Sequence, residues 1–126
     1  MTLVLDAGAF IAIERSDRDI MALLKREHRA GRPPVTHGGV VGQVWRSGGG
    51  RQANLARLLP GVDVQAIDEA TGKEAGVLLA RAGGDDVIDA TVALLAVDGD
   101  EILTSDPADL RPLAVAAGLH VDIVPV

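Results

Sequence analysis

Thr2-Leu3-Val4-Leu5-Asp6, followed at once by Ala7-Gly8-Ala9-Phe10-Ile11-Ala12-Ile13, sets a short apolar run that ends in an acid against the start of a helix. A run with no polar alternation reads as a buried strand. The same succession repeats down the chain. Ser16-Asp17-Arg18-Asp19 supplies a serine cap with an acid three residues later, ahead of Ile20, Leu23 and Leu24 at helical spacing. Gly31 and Pro33-Pro34 stop that helix, and Val35-Thr36 is extended. Residues 39–47 read as a helix whose apolar face is Val40, Val41, Val44 and Trp45. Ser47-Gly48-Gly49-Gly50 is a break, permitted by glycines that tolerate positive φ.

The second half continues the pattern. A short helix over 52–59 ends at Pro60-Gly61, and Val62, Val64 and Ala66 alternate as a strand. Asp68 caps a helix reaching Ala82, Gly83-Gly84 turns, and 86–97 is a strongly apolar helix. A strand over 101–104 leads to Asp106-Pro107, a cap with a proline at the first helical position. Gly118 ends that helix, and 120–124 closes as a strand. Strands alternating with helices predict an α/β domain with a mostly parallel sheet. With no repeat or linker, residues 1–126 form one domain.

Composition narrows the chemistry. At 126 residues, 48% hydrophobic and 24% charged, the chain is built to fold. Its aromatics are Phe10 and Trp45, so the core is aliphatic. The absence of cysteine excludes disulfides, thiolate metal sites and cysteine nucleophiles. No apolar run approaches the ~20 residues that span a bilayer. Met1 to Leu5 leads into Asp6 without a basic region, so the expectation is a cytoplasmic protein without a membrane segment. The net charge of −6 is uneven: residues 1–60 hold nine Lys/Arg against five Asp/Glu, and 61–126 hold three against thirteen. Net charge of this sign argues against nucleic acid unless a specific site attracts it.

Such a site is suggested by three acids. Open parallel sheets bind ligands beyond the C-terminal ends of their strands. Asp6 follows the first strand and Asp106 lies two residues past Leu103-Thr104. Asp89 falls in the first turn of Val87-Ile88-Asp89-Ala90-Thr91-Val92-Ala93, where burial costs desolvation unless something pairs with it. Each has a plainer reading: a solvated strand end for Asp6, a helix cap for Asp106, a favourable dipole position for Asp89. Asp85 and Asp86 compete better than Asp89 for its cap. Together the three are harder to dismiss, because carboxylates ~4 Å apart repel by about 4 kcal/mol at an effective dielectric of 20. A fold tolerates that with a shared proton or a bound cation. Oxygen ligands without cysteine or clustered histidine select Mg²⁺ or Mn²⁺. His28, His37 and His120 are dispersed and read as structural or solvated.

Leu3-Val4-Leu5-Asp6-Ala7-Gly8-Ala9, the helix ending Val44-Trp45-Arg46, Ile88-Asp89-Ala90, and Leu103-Thr104-Ser105-Asp106-Pro107, in this order, resemble PIN-domain ribonucleases, specifically the VapC-type toxins of bacterial toxin–antitoxin pairs. The resemblance covers essentially the whole chain. It implies a three-layer α/β/α fold and four acidic positions that bind Mg²⁺ or Mn²⁺ and hydrolyse RNA phosphodiesters. Asp6, Asp89 and Asp106 match three of them. The fourth usually carries glutamate in the third helix and here is Gln43, which keeps a carbonyl oxygen but loses the charge and cannot act as a base. Asp86, one turn before Asp89, either supports the site or is a solvated cap. Glu69 and Glu74 lie on a different helix and do not substitute.

The mechanism so implied is metal-assisted hydrolysis with no side-chain nucleophile. Arg46, Arg51 and Arg57, around the glycine break, are candidate phosphate contacts, with solvated surface as the competing reading. Trp45 reads as core rather than as an RNA-stacking platform. The resemblance also implies a homodimer and a small antitoxin partner. A second hypothesis keeps the fold but reads Gln43 as the end of catalysis, leaving a module that binds an antitoxin or RNA. A third, a phosphoryl-acceptor domain of receiver type, normally needs a lysine after the last strand, and none follows Lys73. Neither a P-loop nor a GxGxxG nucleotide loop is present.

Overall fold

A computed structural model describes residues 1–47 and 49–126. Five strands, β1 (Leu3–Leu5), β2 (Val35–His37), β3 (Asp63–Gln65), β4 (Glu101–Thr104) and β5 (Asp122–Pro125), form one sheet in the order β3-β2-β1-β4-β5. Every pairing is parallel. The connections hold α1 (Ala7–Glu14), α2 (Arg18–Arg29), α3 (Gly38–Val44), α4 (Ala53–Leu58), α5 (Glu69–Ala82), α6 (Val87–Leu95) and α7 (Pro107–Ala116). The fold is α/β, as expected, and its sheet is wholly rather than mostly parallel.

The strand order fixes the layers. The chain steps from β1 outward to β2 and β3, then returns past β1 to β4 and β5. Right-handed crossovers in opposite directions leave a parallel sheet on opposite faces. Accordingly α1 packs with α2, α3 and α4, while α5, α6 and α7 pack with one another. These are the two helical layers of a three-layer α/β/α arrangement. β1 and β4 are neighbours whose onward connections depart to opposite faces, the kind of switch point at whose C-terminal ends open parallel sheets bind ligands.

Burial explains the strands. Leu3, Val4 and Leu5 are all buried, as a central strand covered on both faces requires. Phe10 on α1 is fully buried, a side chain whose removal from water contributes about 1.5–3 kcal/mol. Trp45 is half-buried and packs against the same aliphatic core, in line with its core reading. β3 differs from the expected alternation: Val62 is buried just before it, but Val64 is exposed. It is one of the two edge strands, and all three of its residues are exposed.

Several boundaries move for identifiable reasons. The cap of α2 is Asp17, whose carboxylate accepts the Asp19 and Ile20 N–H groups, and not Ser16, which takes a left-handed conformation (φ 58°). The third helix stops at Val44 instead of reaching residue 47. Gln52 takes its place: its Oε1 accepts the Arg46 and Ser47 N–H groups and its Nε2 donates to Val44 O. A buried side chain thus replaces the next turn of the helix ladder. The helix expected over 52–59 divides into a 3₁₀ turn (Gly50–Gln52), α4, and a second 3₁₀ turn (Leu59–Gly61). Of the glycine break, Gly50 has the positive φ expected there (54°), and Gly48 lies outside the described residues. α6 starts after Asp86 and ends at Leu95, and β5 begins two residues later than expected. Among the described residues no helix is long and apolar enough to cross a membrane.

Candidate functional site

The switch point receives its acids from local structure. Asp6 continues β1, its N–H donating to Leu103 O on β4, and occupies the N-cap position of α1. Asp106 occupies the N-cap position of α7. Neither carboxylate makes a capping hydrogen bond. Asp106 thus holds the expected cap position ahead of Pro107 without the side-chain bond of a cap, and its own N–H donates to Thr104 Oγ1, 2.9 Å away. Thr104 in turn donates to Asp6 Oδ2 at 2.7 Å. One hydroxyl therefore joins the two strand ends.

Asp89 sits in the first turn of α6, with its N–H donating to Asp86 Oδ1 at 3.1 Å. Asp86 is thus the cap of the helix, the plainer of its two expected roles. Burial, and then the negative charges of Asp86, Asp6, Asp109 and Asp106, push the Asp89 carboxyl up to about 7. Its desolvated anion faces like charge, which disfavours the ionised form by both causes. Helices α1, α6 and α7 all begin at these acids, and their positive dipole ends offset part of the repulsion.

Asp85, Asp86, Asp89 and Asp109 open on a cleft of about 330 Å³ between the α5–α6 turn and α7. Asp6 and Asp106 do not line it and act on Asp89 through their charge. None of the ion pairs among the described residues involves these acids. Oxygen donors that repel one another without a basic partner suit a hard divalent cation. As the side chains lie, no group of three or more His, Asp or Glu among the described residues is close enough to hold one. The donor chemistry fits the ion, and the carboxylates stand apart.

The remaining expected residues divide. Gln43 is exposed and lines a cleft of about 410 Å³ with Ile11, Glu14, Arg46 and Arg51, which contains none of the aspartates. Arg46 donates to the carbonyls of Gly42, Gln43 and Trp45, so its guanidinium closes the end of α3. Arg57 is not with Arg46 and Arg51: it donates to Ala53 O and lines a separate groove of about 760 Å³. That groove is mostly apolar, built on Ile13, Met21, Leu24, Leu58 and Pro60. Lys25, Arg32 and Arg57 contribute its charges, and no carboxylate lines it. The aspartates lie elsewhere, at the starts of α1, α6 and α7.

Three residues were missed as members of the site. Asp109 lies one helical turn beyond Asp106, a spacing visible in the sequence. Thr104 is the last residue of β4 and the link just described. His37, expected to be structural or solvated, is 1% exposed and ends the strand beside β1. Its Nδ1 accepts from Gly39 N–H at 3.1 Å, and its Nε2 lies 2.7 Å from Thr91 Oγ1 and 3.2 Å from Ile88 O. Burial lowers its pKa, partly opposed by the Ile88 carbonyl and the charge of Asp6.

Compared with known proteins, the chain matches no family model and no curated sequence.

Proposed function

We propose that this chain is a Mg²⁺- or Mn²⁺-dependent endoribonuclease that hydrolyses RNA phosphodiester bonds, the cytoplasmic toxin component of a type II toxin–antitoxin pair. The observation that carries this reading is Asp89, a carboxyl raised to about 7 by burial and by four other aspartates at the C-terminal edge of a parallel sheet. A carboxyl so perturbed, near the C-terminal ends of parallel strands, is a functional-site candidate. Asp6, Asp89 and Asp106 would hold the ion, with Asp86 and Asp109 adding negative charge around it. When bound, a divalent ion there supplies neutralisation of the scissile phosphate and acidification of water. Thr104 keeps Asp6 oriented through its hydroxyl, and the dipole ends of α1, α6 and α7 favour an approaching phosphate. Arg51, exposed beside Gln43, is a candidate contact for the RNA backbone.

The basic-rimmed apolar groove between α2 and α4 supports the small protein partner in this reading. A homodimer belongs to the same reading as an expectation of the resemblance. The test is RNA cleavage by the purified protein. Cleavage should require Mn²⁺ or Mg²⁺ and be lost in Asp6→Asn and Asp89→Asn. Undiminished cleavage in chelator overturns the metal-dependent reading.

A second reading, a PIN-like module without catalysis that binds an antitoxin or RNA, is favoured by Gln43, which is uncharged and lines a cleft apart from the aspartates. Gln43→Glu separates the two. A large gain in rate identifies a crippled site, whereas an unchanged rate in an active protein means that glutamine is accommodated.

A further inference from the structure

We propose that His37 is a positioning residue: it ties the first turns of α3 and α6 together and so sets Asp89 in place relative to Asp6. The importance of that placement rests on the metal-dependent reading above. β1 and β2 pair with Val4 opposite Val35, and extending this register sets His37 beside Asp6 at the edge of the sheet. The ring is almost wholly buried, so its two nitrogens must each find a partner.

The partners define the tautomer. Gly39 N–H donates to Nδ1, so that nitrogen carries no proton and caps α3. Nε2 then bears the hydrogen and donates toward Thr91 Oγ1 and Ile88 O. The Thr91 hydroxyl passes its own hydrogen to Val87 O or Ile88 O, both in the same turn. Ile88 and Thr91 flank Asp89 on α6, so the imidazole grips the turn that carries the acid. The helices are in contact at this point: a Cβ on Gly39 would stand 2.5 Å from Ile88 Cδ1. No other imidazole is available nearby, because His28 lines the apolar groove and His120 lies by the α6–β4 turn at the other end of the sheet.

Two substitutions separate the two halves of the ring. Asparagine places its amide oxygen near the position of Nδ1 and can keep the α3 cap while losing the tether to α6. Glutamine places its amide nitrogen near the position of Nε2 and can keep the tether. Hydrogen exchange in chelator reads the tether directly: the amides of Asp89, Ala90 and Thr91 should exchange about 10-fold faster in His37→Asn and near the wild-type rate in His37→Gln. Thr91→Val, which keeps the imidazole and removes its shorter contact, should accelerate the same amides. Mn²⁺ titration followed by electron paramagnetic resonance should show affinity lowered about 10-fold in His37→Asn and restored in His37→Gln.

Equal exchange in all variants overturns the proposal. So does equal acceleration in both His37 variants, which would make the ring a general core element. A wild-type protein that binds no Mn²⁺ sinks the metal-dependent reading instead, and the exchange rates still decide the role of His37.

Discussion

Thr104 donates its hydroxyl hydrogen to Asp6 across 98 positions of sequence, at 2.7 Å, in a wholly buried contact. The same oxygen accepts the Asp106 N–H, so both strand-end acids depend on one side chain. Thr104→Val keeps the shape and removes the bond, leaving a buried carboxylate oxygen without its donor. The expected cost is about 1–3 kcal/mol in urea denaturation, with Thr104→Ser near wild type. Equal losses in both variants would show that the methyl packing, and not the hydroxyl, matters.

Asp89 makes stability depend on pH in a direction opposite to most carboxylates. Its folded value of about 7 lies above the ordinary 3.8, so the folded state binds this proton more tightly than the unfolded chain. The contribution is complete below about pH 4 and is lost as pH rises toward 7. In chelator, Asp89→Asn should therefore gain thermal stability over wild type progressively between pH 4 and 7. Parallel curves for the two proteins across that window would mean that Asp89 ionises in its ordinary range.

Glu27 supplies the contrasting sign. It is buried beneath its own partners, the half-exposed Arg26 and Arg32, with Arg32 Nε 2.7 Å from its Oε2. The Arg32 hydrogen bond is the main reason its carboxyl is held below the ordinary 4.5, against desolvation. This contribution is present above about pH 4.5 and is lost as pH falls further. Arg32→Gln should lower stability at pH 7 and shrink the difference from wild type in acid, measured by thermal unfolding at both conditions.

Gly8 and Gly42 should respond oppositely to alanine. A Cβ on Gly8 would meet Ser105 Oγ at 2.6 Å and Ser105 N at 2.7 Å, within the turn that delivers Asp106. Backbone must move there, so Gly8→Ala should destabilise by about 1–3 kcal/mol and weaken Mn²⁺ binding. Gly42, on the exposed face of α3, has nothing within 4 Å of its added methyl. Gly42→Ala should stabilise by up to about 1 kcal/mol, because it removes only helix-opposing entropy.

The legible parts of this molecule were those governed by local rules. β1 announced itself by three consecutive aliphatics, which are buried, and Asp68 caps α5 as expected. Asp6 and Asp106 could be placed because the strand-end rule needs only the ends of the strands. Tertiary contacts were less visible. Gln52 shortened α3 from eight residues downstream, and no pattern within the helix reveals that. The role of His37 could not be read before β2 was known to lie beside β1 and α6 to pack over both. The cap position of Asp106 before Pro107 was legible for the same local reason, whereas the missing side-chain bond was not.

The pairing of β1 with β4 also has a temporal side. Leu5 leaves the ribosome well before its partner Leu103 and the following Asp106. A ribosome-bound chain that stops short of β4 carries Asp6 without its neighbour or its threonine.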